Sequence, residues 1–324
     1  MFLVPDFKGF DFFPHGTRLD FMKWKGLCFS LSMIAMAMSL GLFLVKGLNY
    51  GVDFKGGSLI EVQSKSGPAD LGAVRERVGG LGLGDVQVQS FGAPTDVLIR
   101  VEEQPGGDKA QQDALNKVVT ALGDGFTQRR VEVVGPAVSS ELRTTGIVAV
   151  LASLLAIITY VWFRFEWQFG VGGLFALVHD VSLTLGMFAL FQLEFSLQIV
   201  AAILAIIGYS LNDTIVVYDR IRENLKRYRK MPLPELLDLS VNETLARTVM
   251  TSLTLLIALI PLLLLGPESL FGLTAAITLG IFVGTYSSIY MAAPLLVWLG
   301  VTSNSFVPTE SAAERQEKIA RGEA

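Results

Sequence analysis

"GYSLNDTIVVYDRIRENLKR", residues 208–227, joins two kinds of sequence that seldom meet. Its first half continues an apolar run that begins near Phe195, yet it carries the carboxylate of Asp213 before the charges from Asp219 onward announce water. An ionised side chain at the centre of a membrane helix costs about 2.5–3.5 kcal/mol on insertion scales and usually faces a bundle interior or a water-filled cavity. The loop that follows holds Arg220, Arg222, Lys226, Arg227, Arg229 and Lys230. Short loops rich in Lys and Arg stay on the cytoplasmic side. This one junction therefore predicts a membrane helix, its direction, and a costly group placed inside it.

Working outward, five further apolar runs are long enough to cross ~30 Å of hydrocarbon, about 20 residues each. The six predicted spans are 26–45, 144–163, 169–191, 195–218, 248–265 and 270–299. The composition agrees: 51% hydrophobic residues, 17% charged residues and a mean hydropathy of +0.51 exclude an ordinary soluble protein of 324 residues. Arg164 follows the second span, whereas the loops "QLE" (192–194) and "GPES" (266–269) hold no Lys or Arg. Both terminal segments, 1–25 and 300–324, are thus expected in the cytoplasm, as is the loop 219–247 that leads into the fifth span. Residues 46–143 are expected outside, since a domain of that length crosses regardless of its charge. The first run lacks a small-x-small cleavage pattern and is read as a permanent span. Cys28 stands alone, so no intrachain disulfide can form. With a net charge of -4 and no basic cluster outside the cytoplasmic loops, nucleic acid is not an expected partner.

Between the first two spans the pattern changes to short alternating runs, as half-buried strands require. "LIEVQ" sets Ile60 and Val62 against Glu61 and Gln63, and "VQVQ" sets Val86 and Val88 against Gln87 and Gln89. "VLIRV" sets Val97, Ile99 and Val101 against Leu98 and Arg100, and "RVEVV" sets Val131 and Val133 against Arg130 and Glu132. Helical spacing joins Leu71, Val74 and Val78, and again Leu115, Val118, Val119 and Leu122. The order strand, helix, strand, strand, helix, strand predicts a ferredoxin-like α+β sandwich. "VGGLGLG" (78–84) follows a helix and lacks the Lys-Ser/Thr of a phosphate loop, so it reads as a flexible helix end. No Cys, His or paired-carboxylate cluster in this domain supports a metal site, a cofactor or catalysis. A binding or lever module is expected there, not an active site.

Few charges enter the spans. Counting 1.5 Å per residue, Asp213 lies roughly 9 Å inside the point where Asp219 meets the interface. Arg247 opens the fifth span from the same side, so the two approach one depth on antiparallel helices. A structural ion pair and a proton relay, in which movement of the partner changes where the proton resides, both stand open. Tyr209, one turn before Asp213, and Asn212 beside it add a polar strip. Asp180, with His179 in "ALVHDVSL", is the deepest charge and belongs either to the same path or to a buried polar helix contact. Pro261 is expected to kink the fifth helix, and "GIFVG" (280–284) has the small-xxx-small spacing of close helix packing.

One span, a large outside domain and then five spans is half the layout of the resistance-nodulation-division (RND) superfamily. "NYGVDFKGG" (49–57), "VGPAVSSELR" (134–143), "FRFEWQF" (163–169), "IGYSLNDTIVVYDRIREN" (207–224) and "NETLARTVMTS" (242–252) closely resemble the SecF family, the smaller membrane subunit of bacterial SecD-SecF protein-export complexes. The five occur in the right order across nearly the whole chain. The resemblance implies a polytopic inner-membrane protein, half of an RND-type bundle, that works with SecD beside the SecYEG translocon, along with YajC and YidC. It implies use of the proton motive force to draw unfolded preprotein across the membrane, with no cofactor and no enzymatic reaction. By position, Asp213 and Arg247 match the family's proton-path residues, while SecD would supply the complementary carboxylate; Asp180 stands at a position that is also acidic. Two rivals remain: an RND exporter of small molecules or lipids, which a domain as small as 46–143 disfavours, and a purely structural translocon subunit.

Overall fold

The computed structural model describes residues 18–301; the rest of the expected cytoplasmic segments, 1–17 and 302–324, lies outside the described residues. A first helix, α1 (Lys25–Lys46), leads through a two-residue strand, β1 (Asn49–Tyr50), and a single turn, α2 (Val52–Lys55), into the domain expected outside. That domain comprises β2 (Gly57–Ser64), α3 (Leu71–Gly79), β3 (Val86–Phe91), β4 (Ala93–Val101), α4 (Gly107–Leu122) and β5 (Phe126–Val134). The bundle is completed by α5 (Pro136–Arg164), α6 (Trp167–Phe191), a short strand β6 (Glu194–Phe195), α7 (Leu197–Arg227), α8 (Leu233–Leu265), α9 (Glu268–Ser287), a π-helical turn (Ser288–Ala292) and α10 (Ala293–Trp298). Six of these helical stretches are long and apolar enough to cross a membrane, the sixth running through α9, the π turn and α10.

The four-stranded sheet has the order β3-β4-β2-β5 with every pairing antiparallel, which is compatible with the expected ferredoxin-like arrangement. One face buries Ile60, Val62, Val97, Ile99 and Val101 against Val74, Val78, Leu115, Val118 and Leu122. Asp70 starts α3 by accepting hydrogen bonds from the Gly72 and Ala73 amides at 2.9 and 3.1 Å. Strict alternation would give the sheet's other face to water, but Leu98 and Arg100 are buried there too. Leu98 joins Leu59 and Val52 in a second apolar cluster. The sheet therefore has two covered faces, and the second is turned toward the membrane part of the chain.

Two helices start well before the hydrocarbon does. α5 begins at Pro136, directly after β5 and the single residue Gly135, because proline at the first turn needs no hydrogen-bond partner for its missing N–H. α8 begins at Leu233, so most of the polar stretch expected as a loop is helix, and α7 and α8 are joined only by residues 228–232. Hydropathy marks the thickness of the apolar layer, whereas the backbone keeps its helical hydrogen bonds as it passes into water. Pro261 lies inside α8.

At the centre of the bundle stands α7, with a long row of buried residues from Ile199 to Leu225. It meets α9 at close range because Gly280 and Gly284 have no side chain: a Cβ on Gly280 would lie 2.7 Å from Ile206 Cδ1, and one on Gly284 would lie 3.1 Å from Ser210 Cβ. A Cβ on Gly186 of α6 would lie 2.9 Å from the Ser39 Cα of α1, so the outermost helix docks by the same device. Overpacking a tight contact costs about 1–3 kcal/mol. Gly280→Ala is expected to lower the thermal unfolding midpoint in detergent, and Ile206→Ala in the same chain to restore more than half of the loss. Independent effects of the two changes in the double-mutant cycle would refute this packing.

Candidate functional site

α7 places Asp213 in the bundle interior with only 8% of its surface exposed. Its Oδ1 accepts a hydrogen bond from Thr248 Oγ1 of α8 at 2.7 Å, and its Oδ2 accepts one from Ser288 Oγ, the first residue of the π turn, at 3.0 Å. Both partners are neutral. Arg247 is exposed, and no ion pair joins it to Asp213 among the described residues. The direct pair that matching depth suggested is therefore not formed in this chain. Successive residues project about 100° apart around a helix, so with Thr248 turned toward α7 the neighbouring Arg247 faces out of the bundle.

A second carboxylate lies deeper. Asp180 of α6 has no exposed surface; His179 Nδ1 stands 2.9 Å from its Oδ1, while Oδ2 accepts from Ser210 Oγ at 2.5 Å and Ser287 Oγ at 2.8 Å. With Asp180 ionised, His179 must carry its proton on Nδ1. His179 Nε2 is buried and has no hydrogen-bond partner among the described residues. Ser210 precedes Asp213 by three residues on α7, and Ser287 and Ser288 are neighbours at the junction of α9 with the π turn. A π turn inserts a residue into the helical register and is common at functional sites. Here it begins at the second of two consecutive serines that serve carboxylates on two different helices.

Both serines have a second acceptor. Ser287 Oγ also reaches the Gly284 carbonyl at 3.2 Å, and Ser288 Oγ the Thr285 carbonyl at 3.0 Å. Each hydroxyl can thus donate to a carboxylate, or turn its proton to the backbone and accept from a carboxylic acid. Beside them, Tyr209 Oη meets Ser252 Oγ at 2.7 Å, and Ser252 Oγ meets Thr285 Oγ1 at 2.6 Å and the Thr248 carbonyl at 2.9 Å. Tyr209 therefore sits in a hydroxyl chain next to Asp213, as the polar strip suggested. Asn212 is exposed and takes no part in either network. Reading charges alone overlooks Ser210, Thr248, Ser252, Thr285, Ser287 and Ser288. For all but Ser210 the signal was present in "TVMTS" (248–252) and "GTYSS" (284–288), where hydroxyls recur at one-turn spacing within spans. No group of three or more His, Cys, Asp or Glu able to hold a metal ion occurs among the described residues.

Comparison with known proteins places this geometry in a family. The description "Protein export membrane protein SecD/SecF, C-terminal" matches residues 114–302, and "SecD/SecF GG Motif" matches residues 41–67. The chain is 44% identical over 299 residues to the protein translocase subunit SecF of Pseudomonas aeruginosa, covering 90% of this chain and 95% of that one. It is likewise 44% identical over 306 residues to SecF of Rhodobacter capsulatus, covering 90% and 92%. SecDF of Brucella abortus is 43% identical over 288 residues, 89% of this chain but only 38% of that longer protein. Among solved structures, SecDF from Thermus thermophilus, described as a translocon-associated membrane protein, superposes with a TM-score of 0.79 at 38% identity, over 88% of this chain and 39% of that one. With a family match over more than half of its residues and relatives aligned along nine-tenths of both lengths, the chain belongs to the SecF family of protein translocase subunits.

Proposed function

We propose that this chain is the SecF-type half of a two-part export motor in the bacterial inner membrane, which with SecD uses the proton motive force to draw unfolded preprotein outward from the SecYEG translocon. YajC and YidC are further proposed partners, and both termini are proposed to face the cytoplasm. The observation that carries this reading is Asp213: a buried carboxylate in the central helix, held by two neutral hydroxyls, one of which has an alternative acceptor. Such a carboxylate can gain and lose a proton without leaving a hydrogen-bonding group unsatisfied, because Ser288 turns toward the Thr285 carbonyl when Asp213 is protonated. Asp180, linked through the adjacent Ser287, is proposed as a second station of the same path. Arg247, exposed on α8, is proposed to face the SecD half, which would supply the complementary acid.

One proton crossing the membrane releases about 2.3 kcal/mol per 100 mV. That biases a two-state arrangement of α7, α8 and α9 by roughly fiftyfold per 100 mV, since 1.4 kcal/mol is a factor of ten. A structural polar contact is the competing reading, favoured by the full satisfaction of Asp213 by Thr248 and Ser288. The two differ under isosteric neutralisation. Asn can keep an acceptor toward Thr248 but cannot titrate, so Asp213→Asn is expected to leave assembly with SecD intact and to abolish the gradient-stimulated component of export in inverted vesicles, while ATP-driven export continues. Wild-type stimulation in that variant would end the relay reading. Ser288→Ala removes the reversible donor and is expected to slow gradient-driven export by about tenfold, roughly the effect of losing one hydrogen bond to a charged group. Ser288→Thr, which restores a hydroxyl, should recover most of the rate.

A further inference from the structure

The segment 47–57 runs along the outer ends of α6 and α7 and is tied to them at several points. β1 pairs in parallel with β6, Asn49 opposite Glu194 and Tyr50 opposite Phe195, and the Gly51 amide donates to the Phe195 carbonyl at 2.9 Å. Asn49 Nδ2 donates to the Gln192 carbonyl at 3.1 Å. The first amides of a helix lack partners within it, and Ser196, which precedes α7, offers no side-chain cap. Asp53 supplies it from elsewhere: its Oδ2 accepts from the Leu197 amide at 2.8 Å, which places a carboxylate at the positive end of the helix dipole.

Asp53 is in turn built into the sheet. Its single turn, α2, ends in Gly56 and Gly57, both at positive φ (75° and 111°), and a Cβ on Gly57 would collide with the Val101 carbonyl of β4. Only glycine allows β2 to start this close to β4. From β4, Arg100 reaches back to Asn49 Oδ1 at 3.0 Å, the Tyr50 carbonyl at 3.4 Å and Glu194 Oε1 at 3.0 Å. Burial pushes the Glu194 carboxyl above its ordinary range; Arg100 pulls the other way, while Glu132 and Asp53 add to the rise. Such a pair fixes geometry more than it adds stability. Val52 is buried with Leu59 and Leu98, and Phe54 stacks on Phe195 at 5.8 Å, closing the same junction from the apolar side.

We propose that Asp53 is a positioning residue for proton-driven work: with the Arg100–Glu194 pair, it makes the outside domain and the outer end of α7 one mechanical body. This rests on the proton role proposed for Asp213, which α7 carries sixteen residues further in, about 24 Å along the helix axis. A tilt or rotation of α7 set by Asp213 is delivered to the sheet through Leu197, Asp53, α2 and the two glycines, with no flexible step between them. The sequence "DFKGG" is thus a coupling: an acid that grips the helix end and two glycines that seat the grip in the sheet.

The test reads proton flux and gradient-driven export in the same vesicles, which contain the full chain, its SecD half and the translocon. Asp53→Ala is expected to keep proton flux within about twofold while export per proton falls about fivefold or more, the scale of a lost helix cap. Asp53→Asn, whose amide oxygen also accepts from Leu197, should restore most of it. Arg100→Glu and Glu194→Arg should each uncouple, and the double charge swap, which rebuilds the ion pair but not the bonds to Asn49 and Tyr50, should recover part of the loss. Joining Tyr50→Cys to Phe195→Cys with a short crosslinker should leave export intact, because the junction is proposed to stay closed throughout the cycle. Unchanged export per proton in Asp53→Ala, joint loss of flux and export that Asp53→Asn does not rescue, or a crosslink that blocks export would each overturn the proposal. Failure of the proton role itself would show separately, as wild-type gradient stimulation in Asp213→Asn.

Discussion

Two carboxylates with no Lys or Arg in contact, inside a layer where water is scarce, are the constraint on which the bundle depends. Asp180 draws Ser210, Ser287 and His179 around itself, and Asp213 draws Thr248 and Ser288. A buried polar group without partners costs more than an exposed one gains. The helices that bear these hydroxyls must therefore approach closely, and Gly280 and Gly284 make the approach possible. The π turn begins at this same point, with Ser287 bonded to Asp180 and Ser288 to Asp213. Packing and glycine placement are here two answers to one electrostatic requirement.

That requirement also accounts for what could be read in advance. The six spans and the order of the sheet's elements follow from runs of apolar residues and alternating patterns, which act locally. Asp213 and Asp180 were visible because an acid in an apolar run stands out. Their partners were not, since a serine or threonine in a span is common and its importance depends on what faces it. The expected contact between Asp213 and Arg247 rested on depth alone; depth fixes position along a helix but not around it. Leu98 and Arg100 looked like a mixed outer face, and only the path of residues 47–57 shows why both are buried.

Residues 41–67 match a separate description from residues 114–302, and the fold gives that division a physical sense. They contain the end of α1, the strap along β6, the acid that caps α7 and the central strand of the sheet. The sheet domain is thus entered through an inner strand, and its second covered face is the one that meets the bundle. The long SecDF proteins, of which this chain spans 38–40%, contain this arrangement as part of a larger chain.

Gly135 has a further consequence. β5 passes into α5 through that one residue, and the Ser139 amide already donates to its carbonyl at 3.0 Å. The sheet domain is consequently held at two places, by the strap at α7 and by this joint at α5. A plate fixed at two corners is less free than one hung from a single hinge. Any displacement of the domain against the bundle would therefore have to be taken up at α5 and α7 together.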